Sequence, residues 1–196
     1  EGIRDHYKED CLFMRRHICG LTDDSLNAFK TIVFENGQGL MLDQNNTAYF
    51  PHLTPSNTGV KNPKAIIDRI KWNEPLDIEV CYVTRTYLTR HGAGKLLGEC
   101  DKSEINPYME DLTNVPNPNQ DSLRYGMMDW KTMMERCSKD LGTWDVNMSM
   151  AITHVNEYPA DEEMIESPYC KTYLSKGYTS LDVEILEVKN EGYINY

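Results

Sequence analysis

The stretch LDIEVCYVTRTYLTRHGAGKL, residues 76–96, contains the strongest strand pattern of the chain. Residues 78–87 are rich in β-branched and aromatic side chains, which favour a strand. The pattern ends at residues 89–91 and continues into the glycine turn Gly92-Ala93-Gly94. Such a turn directs successive backbone N–H groups into one space beside an arginine, which suits a ribose or a phosphate. An ordinary turn with a solvated arginine is the alternative that these residues leave open.

Helix and strand patterns alternate on both sides of this stretch. Apolar residues at helical spacing predict an amphipathic helix over residues 4–18, and Asn62-Pro63 marks the start of a second helix. Asp129 is a predicted cap for a third helix, over residues 129–141. The other predicted elements are a short helix capped by Asp24 and ending at Phe29, strands at 31–34, 148–155 and 181–188, a long loop at 101–122, and a frayed tail. This alternation predicts an α/β fold with a mostly parallel sheet and flanking helices, in a single domain over residues 1–196.

A second glycine turn lies in TIVFENGQGLMLD, residues 31–43. Residues 31–34 predict a short buried strand that ends before Gly37-Gln38-Gly39. The carboxyl ends of strands in α/β sheets bind ligands, and glycine allows a ligand to approach the backbone closely. The amide of Gln38 can both donate and accept, which suits a base with a carbonyl beside a ring nitrogen. An ordinary turn is again the alternative.

Composition excludes several classes of function. The chain has 196 residues, 40% of them hydrophobic, and a net charge of -11, which argues against nonspecific binding to nucleic acid or anionic membrane. No apolar run is long enough to span a bilayer and no signal peptide is visible, so we expect a cytoplasmic protein. The six cysteines lack C-x-x-C spacing and the five histidines are scattered, so no metal site is predicted.

Several motifs occur in the order in which one known family has them. They are Glu35-Asn36-Gly37-Gln38-Gly39 with Met41-Leu42-Asp43, FPHLTPSNT at 50–58, RTYLTRHGAGKLLGE at 85–99, RYGMMD at 124–129 and ITHVN at 152–156. They resemble EGAQG with LLD, TYP-x-VTSSNT, KAY-x-TRVGAGPFPTE, R-x-GWLD and LTKLD of adenylosuccinate synthetase. That ligase family joins aspartate to inosine monophosphate using GTP. The resemblance spans about residues 20–156, residues 157–196 are divergent, and the implied architecture is an incomplete version of the family fold.

The resemblance implies a site for a purine nucleoside monophosphate. In the family, the residues matching Gln38 and Thr54 contact the hypoxanthine and the monophosphate, and the backbone matching residues 90–92 holds the ribose. These roles agree with the chemistry of an amide, a hydroxyl and glycine-exposed N–H groups. The implied nucleotide-binding residues are Gln38, Gly39, Thr54, Asn57, Thr89, Arg90, His91, Gly92 and Gly94.

The departures from the family concern the other substrates. Where the family has the arginine-rich TTGRRRR, this chain has PNQDSLR, so the implied amine-donor or phosphate-donor loop is Asn119, Gln120 and Arg124. Losing the other arginines should weaken bidentate recognition of a carboxylate. The base of the phosphate donor would meet Thr153, His154 and Asn156, and an amide in place of a carboxylate argues against a strong preference for GTP.

Three hypotheses follow. In the first, the chain is the C-terminal part of a ligase of purine biosynthesis that aminates the 6-position of a nucleotide resembling inosine monophosphate. Its phosphate-loop half would lie in further sequence or in a partner chain, because these residues contain no G-x-x-x-x-G-K-[ST] motif, and its catalytic residues stay unassigned. The complete enzyme would use Mg²⁺ and a nucleoside triphosphate, GTP or another. The alternatives are a non-catalytic nucleotide-binding or assembly protein and a structural protein.

We also expect a homodimer or a partner chain. Half of a family fold exposes sheet edges and apolar surface, and the family is dimeric. The absence of an initiator methionine before Glu1 predicts an excerpt or a processed product.

Overall fold

The computed structural model describes residues 2–17, 20, 22–109, 122–159 and 170–187. The chain divides into two compact units, a smaller one of Glu1–Glu35 and Asn62–Leu76 and a larger one of Asn36–Lys61 and Asp77–Tyr196. The single domain over residues 1–196 stays a prediction.

The smaller unit is helical. Helix α1 spans Gly2–His17, which confirms the predicted first helix, although none of its side chains is buried. The predicted second helix is confirmed as α2, Lys61–Arg69, which begins one residue before the predicted start at Asn62-Pro63 and has Pro63 in its first turn. The predicted short helix is a 3-10 helix at Asp23–Ala28, preceded by Thr22 rather than by the predicted cap Asp24.

The predicted buried strand at residues 31–34 is wrong. These residues pair with no described strand, and the side chain of Val33 is 83% exposed. β-Branched residues favour a strand only when a neighbouring strand and a packed face are present. Within the described residues this segment has neither.

The larger unit contains a four-stranded sheet. Its strands are β1 at Glu79–Arg85, β5 at Asn147–Thr153, β6 at Lys171–Ser175 and β7 at Val183–Leu186, in the spatial order β1-β5-β6-β7. The first three strands are parallel to one another, and β7 is antiparallel to β6. The predicted α/β class, with a mostly parallel sheet and flanking helices, is confirmed. Strand β6 was not predicted, and the strand predicted at 181–188 is shorter because Ser180–Asp182 forms a 3-10 helix.

One face of this sheet packs against helix α4, Trp130–Leu141. The helix begins as predicted, because the Asp129 carboxylate accepts a hydrogen bond from the backbone N–H of Thr132 at 3.0 Å. Met150 and Ile152 of β5 are completely buried. Trp130 and two methionines of α4 pack against that cluster, so these methionines are core residues as predicted.

The opposite face of the sheet is only partly covered within the described residues, since Ser149 in its centre is buried while residues nearer its edges are exposed. The Tyr82 hydroxyl donates to the Asp140 carboxylate of α4 at 2.7 Å, so its strand neighbours Cys81 and Val83 point to the other face. Val83 is 72% exposed, and Ile185 of β7 is 52% exposed. Mostly parallel sheets are normally covered on both faces, so this surface is unusual for its class.

A second, three-stranded antiparallel sheet was not predicted. Its strands are β2 at Leu88–Arg90, β4 at Arg124–Gly126 and β3 at Glu99–Cys100, in the spatial order β2-β4-β3.

The predicted long loop at 101–122 is wrong at its start. Helix α3 occupies Lys102–Ile105 and begins with a capping box at Asp101. Ile105 is buried in a small core with Tyr87, Met109 and Tyr125. Residues 110–121 of this loop, the last residue of the strand predicted at 181–188 and the predicted tail after it lie outside the described residues.

Candidate functional site

The glycine turn after β2 is held by two arginine side chains. Arg90 donates from Nε to the carbonyl of Ala93 at 3.0 Å and from Nη1 to the carbonyl of Lys95 at 3.5 Å. Nη1 of Arg124 donates to the carbonyls of Gly92 and Gly94, both at 2.8 Å. The four carbonyls of residues 92–95 therefore alternate between the two guanidinium groups.

Both glycines are required by the backbone of this turn. Gly92 has a φ of 69° and Gly94 a φ of 105°, a region that other residues rarely adopt. A Cβ added at Gly94 would lie 2.6 Å from Nη2 of Arg90 and 2.7 Å from Cβ of His52. Gly94 is thus fixed both by conformation and by close packing.

Arg90 also joins this turn to the predicted phosphate-binding loop. Its Nη2 donates to the carbonyl of His52 at 2.9 Å, and the whole residue is only 9% exposed. The alternative of a solvated arginine is therefore wrong. The guanidinium group of Arg90 donates to backbone carbonyls rather than pointing into solvent.

The loop that contains Thr54 is held to the residues after the first glycine turn. The backbone N–H of Thr54 donates to the carbonyl of Leu42 at 2.9 Å, and that of Thr58 donates to the Asp43 carboxylate at 2.7 Å. Partial burial raises the pKa of Asp43, but hydrogen bonds from Asn45 and Thr58 together outweigh it and leave that pKa below its ordinary value. Asp43 is therefore an ionised anchor for this loop.

Three motifs that are distant in sequence thus come together through residues 42, 54, 52 and 90. Asn57 takes part in the same loop, since its side-chain oxygen accepts from Nδ2 of Asn45 at 2.8 Å. Gly39 begins the 3-10 helix Leu40–Leu42. The side chain of Gln38 is exposed, and no hydrogen bond joins it to another described residue. No hydrogen bond among the described residues joins Gln38 to the second glycine turn.

Of the predicted amine-donor or phosphate-donor loop, only Arg124 lies among the described residues. Asn119 and Gln120 lie outside them. Arg124 forms a bidentate pair with Glu99, from Nε to Oε1 at 2.7 Å and from Nη2 to Oε2 at 2.6 Å. The hydrogen bond from Arg124 lowers the pKa of the Glu99 carboxyl below its ordinary value. The guanidinium group of Arg124 is therefore already engaged.

The predicted site for the base of the phosphate donor follows β5. The hydroxyl of Thr153 donates to the carbonyl of Thr84 at 3.1 Å, which joins the carboxyl ends of β1 and β5. His154 adopts a φ of 64°, and its carbonyl accepts the N–H of Glu157 at 2.9 Å, which closes a turn. Asn156 in this turn is exposed. These residues occupy the strand ends at which α/β sheets bind ligands.

Sequence analysis did not identify the residues that support these turns. The buried hydroxyl of Tyr87 donates to the Glu157 carboxylate, and burial together with this bond raises the pKa of Tyr87 above its ordinary value. Glu99 and Asp43 belong to the motifs, but no role was predicted for either carboxylate. Contacts across more than thirty residues of sequence, such as Arg124 with Gly92, leave no local pattern.

Two predicted nucleotide-binding residues lie in or beside the small sheet. Thr89 lies opposite Tyr125 in the β2–β4 ladder, and His91 is partly buried.

A cavity of about 410 Å³ adjoins the second glycine turn and is lined by Gly92, Ala93, Gly94, Ser122 and Arg124. Its volume lies within the range of small-molecule sites, about 300–1,000 Å³. A second cavity of about 440 Å³ is lined by residues 99–102 and 122–125, and it shares Ser122 and Arg124 with the first.

Two further properties follow from the part of the chain that the structure describes. It contains no group of three or more His, Cys, Asp or Glu side chains placed to hold a metal ion. No helix in the same part is long and apolar enough to cross a membrane.

The family model of adenylosuccinate synthetase matches residues 5–158. A search of curated proteins and a search of solved structures gave no significant match.

Proposed function

The chain belongs to the adenylosuccinate synthetase family, and we propose that it binds a purine nucleoside monophosphate as part of a ligase of purine nucleotide biosynthesis. One observation carries the proposal. The loop that contains Thr54 is hydrogen-bonded on one side to Leu42 and on the other to Arg90. These are the segments to which the family resemblance assigns the phosphate, the base and the ribose.

Each element of the nucleotide has a candidate partner. The exposed amide of Gln38 can pair with the carbonyl and ring nitrogen of a 6-oxopurine, and Gly39 allows close approach. The hydroxyl of Thr54 can donate to the phosphate. The backbone N–H groups of residues 92–94 can donate to the ribose, and a cavity of about 410 Å³ adjoins this turn.

Local charge supports an anionic ligand in spite of the acidic chain. The protein carries a net charge of -11, yet two guanidinium groups hold the turn. Glu99 neutralises Arg124, whereas Arg90 pairs with no carboxylate of a described residue. The buried positive charge of Arg90 favours a phosphorylated ligand at the turn.

The reaction of the complete enzyme would be amination at the 6-position. A nucleoside triphosphate would phosphorylate the 6-oxygen of the purine. An amine would then attack carbon 6, and the phosphorylated oxygen would leave as phosphate. In this scheme residues 92–94 hold the nucleotide still while both steps occur. The sequence contains no G-x-x-x-x-G-K-[ST] motif, so we propose that the phosphate loop and its Mg²⁺ lie in further sequence or in a partner chain.

The identities of the amine and phosphate donors would differ from the family pattern. Arg124 is the one arginine that remains of the arginine-rich loop, and Glu99 already occupies its bidentate edge. We therefore propose weak use of aspartate, or another amine donor. Thr153, His154 and Asn156 would meet the base of the phosphate donor without a carboxylate to read guanine, which weakens GTP binding.

The exposed part of this sheet face supports a homodimer or a partner chain, and a biosynthetic ligase of this family is proposed to be cytoplasmic. Val83 and Ile185 are 72% and 52% exposed on a sheet whose other face is packed, and β1 is an edge among the described strands. Exposed apolar residues beside an unpaired edge favour association. Isolating the native gene product and measuring its intact mass tests whether a phosphate-loop half accompanies this chain. A product that begins at Glu1 and copurifies with no phosphate-loop partner would contradict the ligase.

Calorimetry with inosine monophosphate tests the nucleotide site. The variants Gln38→Ala and Thr54→Ala should each weaken binding about tenfold, or about 1.4 kcal/mol. Ser56→Ala is the matched control, because it removes an exposed hydroxyl from the same loop. Equal heats for wild type and the two site variants, or no heat from any of them, would contradict the proposed site.

A further inference from the structure

Two arginines stand directly opposite each other where the glycine turn begins. In the β2–β4 ladder, Arg90 pairs with Arg124. Like charges at opposed positions of an antiparallel pair are destabilising. Local rules of this kind are broken mainly at functional sites, where another interaction offsets the cost.

The turn itself offsets this repulsion. Arg90 binds the carbonyls of Ala93 and Lys95, and Arg124 binds those of Gly92 and Gly94. The C=O of a trans peptide and the N–H of the following residue point in opposite directions. Arg124 therefore fixes the directions of the Ala93 and Lys95 N–H groups, since these share peptide planes with the carbonyls it holds.

Glu99 sets the orientation of Arg124. Its two carboxylate oxygens accept hydrogen bonds from Nε and Nη2 of Arg124, so Nη1 is the nitrogen that donates to the turn. A guanidinium group is planar and rigid, so a bidentate carboxylate on one edge fixes the direction of the remaining nitrogen. Lysine cannot replace this arrangement, because one ammonium group lacks the second edge.

We propose that Arg124 and Glu99 are positioning residues that hold the turn in its nucleotide-binding shape, rather than direct ligands of an amine or phosphate donor. This inference rests on the proposed function. The wall that Gly92, Gly94 and Arg124 share in the cavity of about 410 Å³ is the surface that the pair maintains.

Backbone ¹⁵N relaxation of the ligand-free protein, together with inosine monophosphate affinity, tests the pair. In Arg124→Lys, the order parameters of the Ala93 and Lys95 amides should fall from about 0.85 to below about 0.6. Affinity for inosine monophosphate should fall about tenfold. Glu99→Gln keeps the side-chain shape and should cause smaller changes in the same direction.

Arg69→Lys is the matched control. Arg69 forms the same bidentate geometry with Asp23, from Nε at 2.6 Å and from Nη2 at 2.9 Å, but makes no hydrogen bond to the turn. It should change neither readout.

The possible results separate the positioning role from other roles. Unchanged order parameters in both Arg124→Lys and Glu99→Gln would overturn the inference. Weaker binding without a change in order would also overturn it, because Arg124 would then contact the ligand directly. If wild type fails to bind inosine monophosphate, the proposed function fails, while the order parameters still decide whether the pair holds the turn.

Discussion

The two glycine turns, Gly37-Gln38-Gly39 and Gly92-Ala93-Gly94, share a sequence pattern but differ in structure. Both glycines of the second turn have positive φ, and Gly94 packs against His52 and Arg90. Neither glycine of the first turn has positive φ, and a Cβ added to either would meet nothing within 4 Å.

This difference separates two reasons for a glycine. In the second turn, the backbone of the chain itself requires glycine. In the first turn nothing within the described residues does, so a requirement at Gly37 or Gly39 would come from a ligand or partner that approaches the backbone. The first turn is thus the more direct reporter of binding, and the second is the more direct reporter of folding.

The largest expected effect is on the second turn. Gly94→Ala should lower the free energy of unfolding by about 2–3 kcal/mol, because it combines a strained φ with a close contact to His52. Gly39→Ala is the matched control and should stay within about 0.5 kcal/mol of wild type. Urea unfolding of both variants makes the comparison. Equal losses would mean that the two turns are alike after all.

The next effect concerns the loop beside the first turn. Asp43→Ala should lower the free energy of unfolding by about 2 kcal/mol, because it leaves the N–H groups of Asn45 and Thr58 without their acceptor. Asp145→Ala, at an exposed position, should change it by less than about 0.5 kcal/mol. Thermal unfolding measures both. Comparable effects would argue against Asp43 as the anchor.

A pH dependence should follow from the same carboxylate. The pKa of Asp43 is below its ordinary value of 3.8 in the folded chain, so its stabilisation is complete above that ordinary value and is lost as the pH falls through the lowered pKa. Between about pH 5 and pH 2, wild type should therefore lose more stability than Asp43→Asn, which cannot titrate there. Parallel curves of unfolding free energy against pH for the two proteins would exclude a stabilising role for the ionised Asp43 carboxylate.

The smallest effect on stability should come from the first turn itself. Gln38→Ala should leave the free energy of unfolding within about 0.5 kcal/mol of wild type, because its exposed side chain has no hydrogen bond to a described residue. A loss above about 1 kcal/mol would show that Gln38 supports the fold, and its weaker nucleotide binding could then be indirect.

Long periodic segments could be predicted from the sequence. Helix α4 with its Asp129 cap and strands β1 and β5 follow from periods and caps that lie within one segment. Strands of two or three residues, such as β3 and β4, are too short to show a period. Residues 31–34 have strand composition but no described neighbour to pair with.

The candidate site was predictable only in its motifs. The second glycine turn and the loop that contains Thr54 were recognisable as sequence motifs, and a hydrogen bond from Arg90 to His52 joins them. The roles of Glu99 and Arg124 depend on pairing between strands that are more than twenty residues apart, and no local pattern encodes that pairing.

An NMR titration of the labelled protein with inosine monophosphate tests the central claim most directly. The account predicts saturable shifts concentrated at the backbone amides of Gly92, Ala93 and Gly94, at Thr54 and at the side-chain amide of Gln38. These shifts should weaken in Thr54→Ala and persist in Ser56→Ala. No saturable shift at these positions, or shifts confined to other parts of the chain, would contradict a nucleotide site formed by these three motifs.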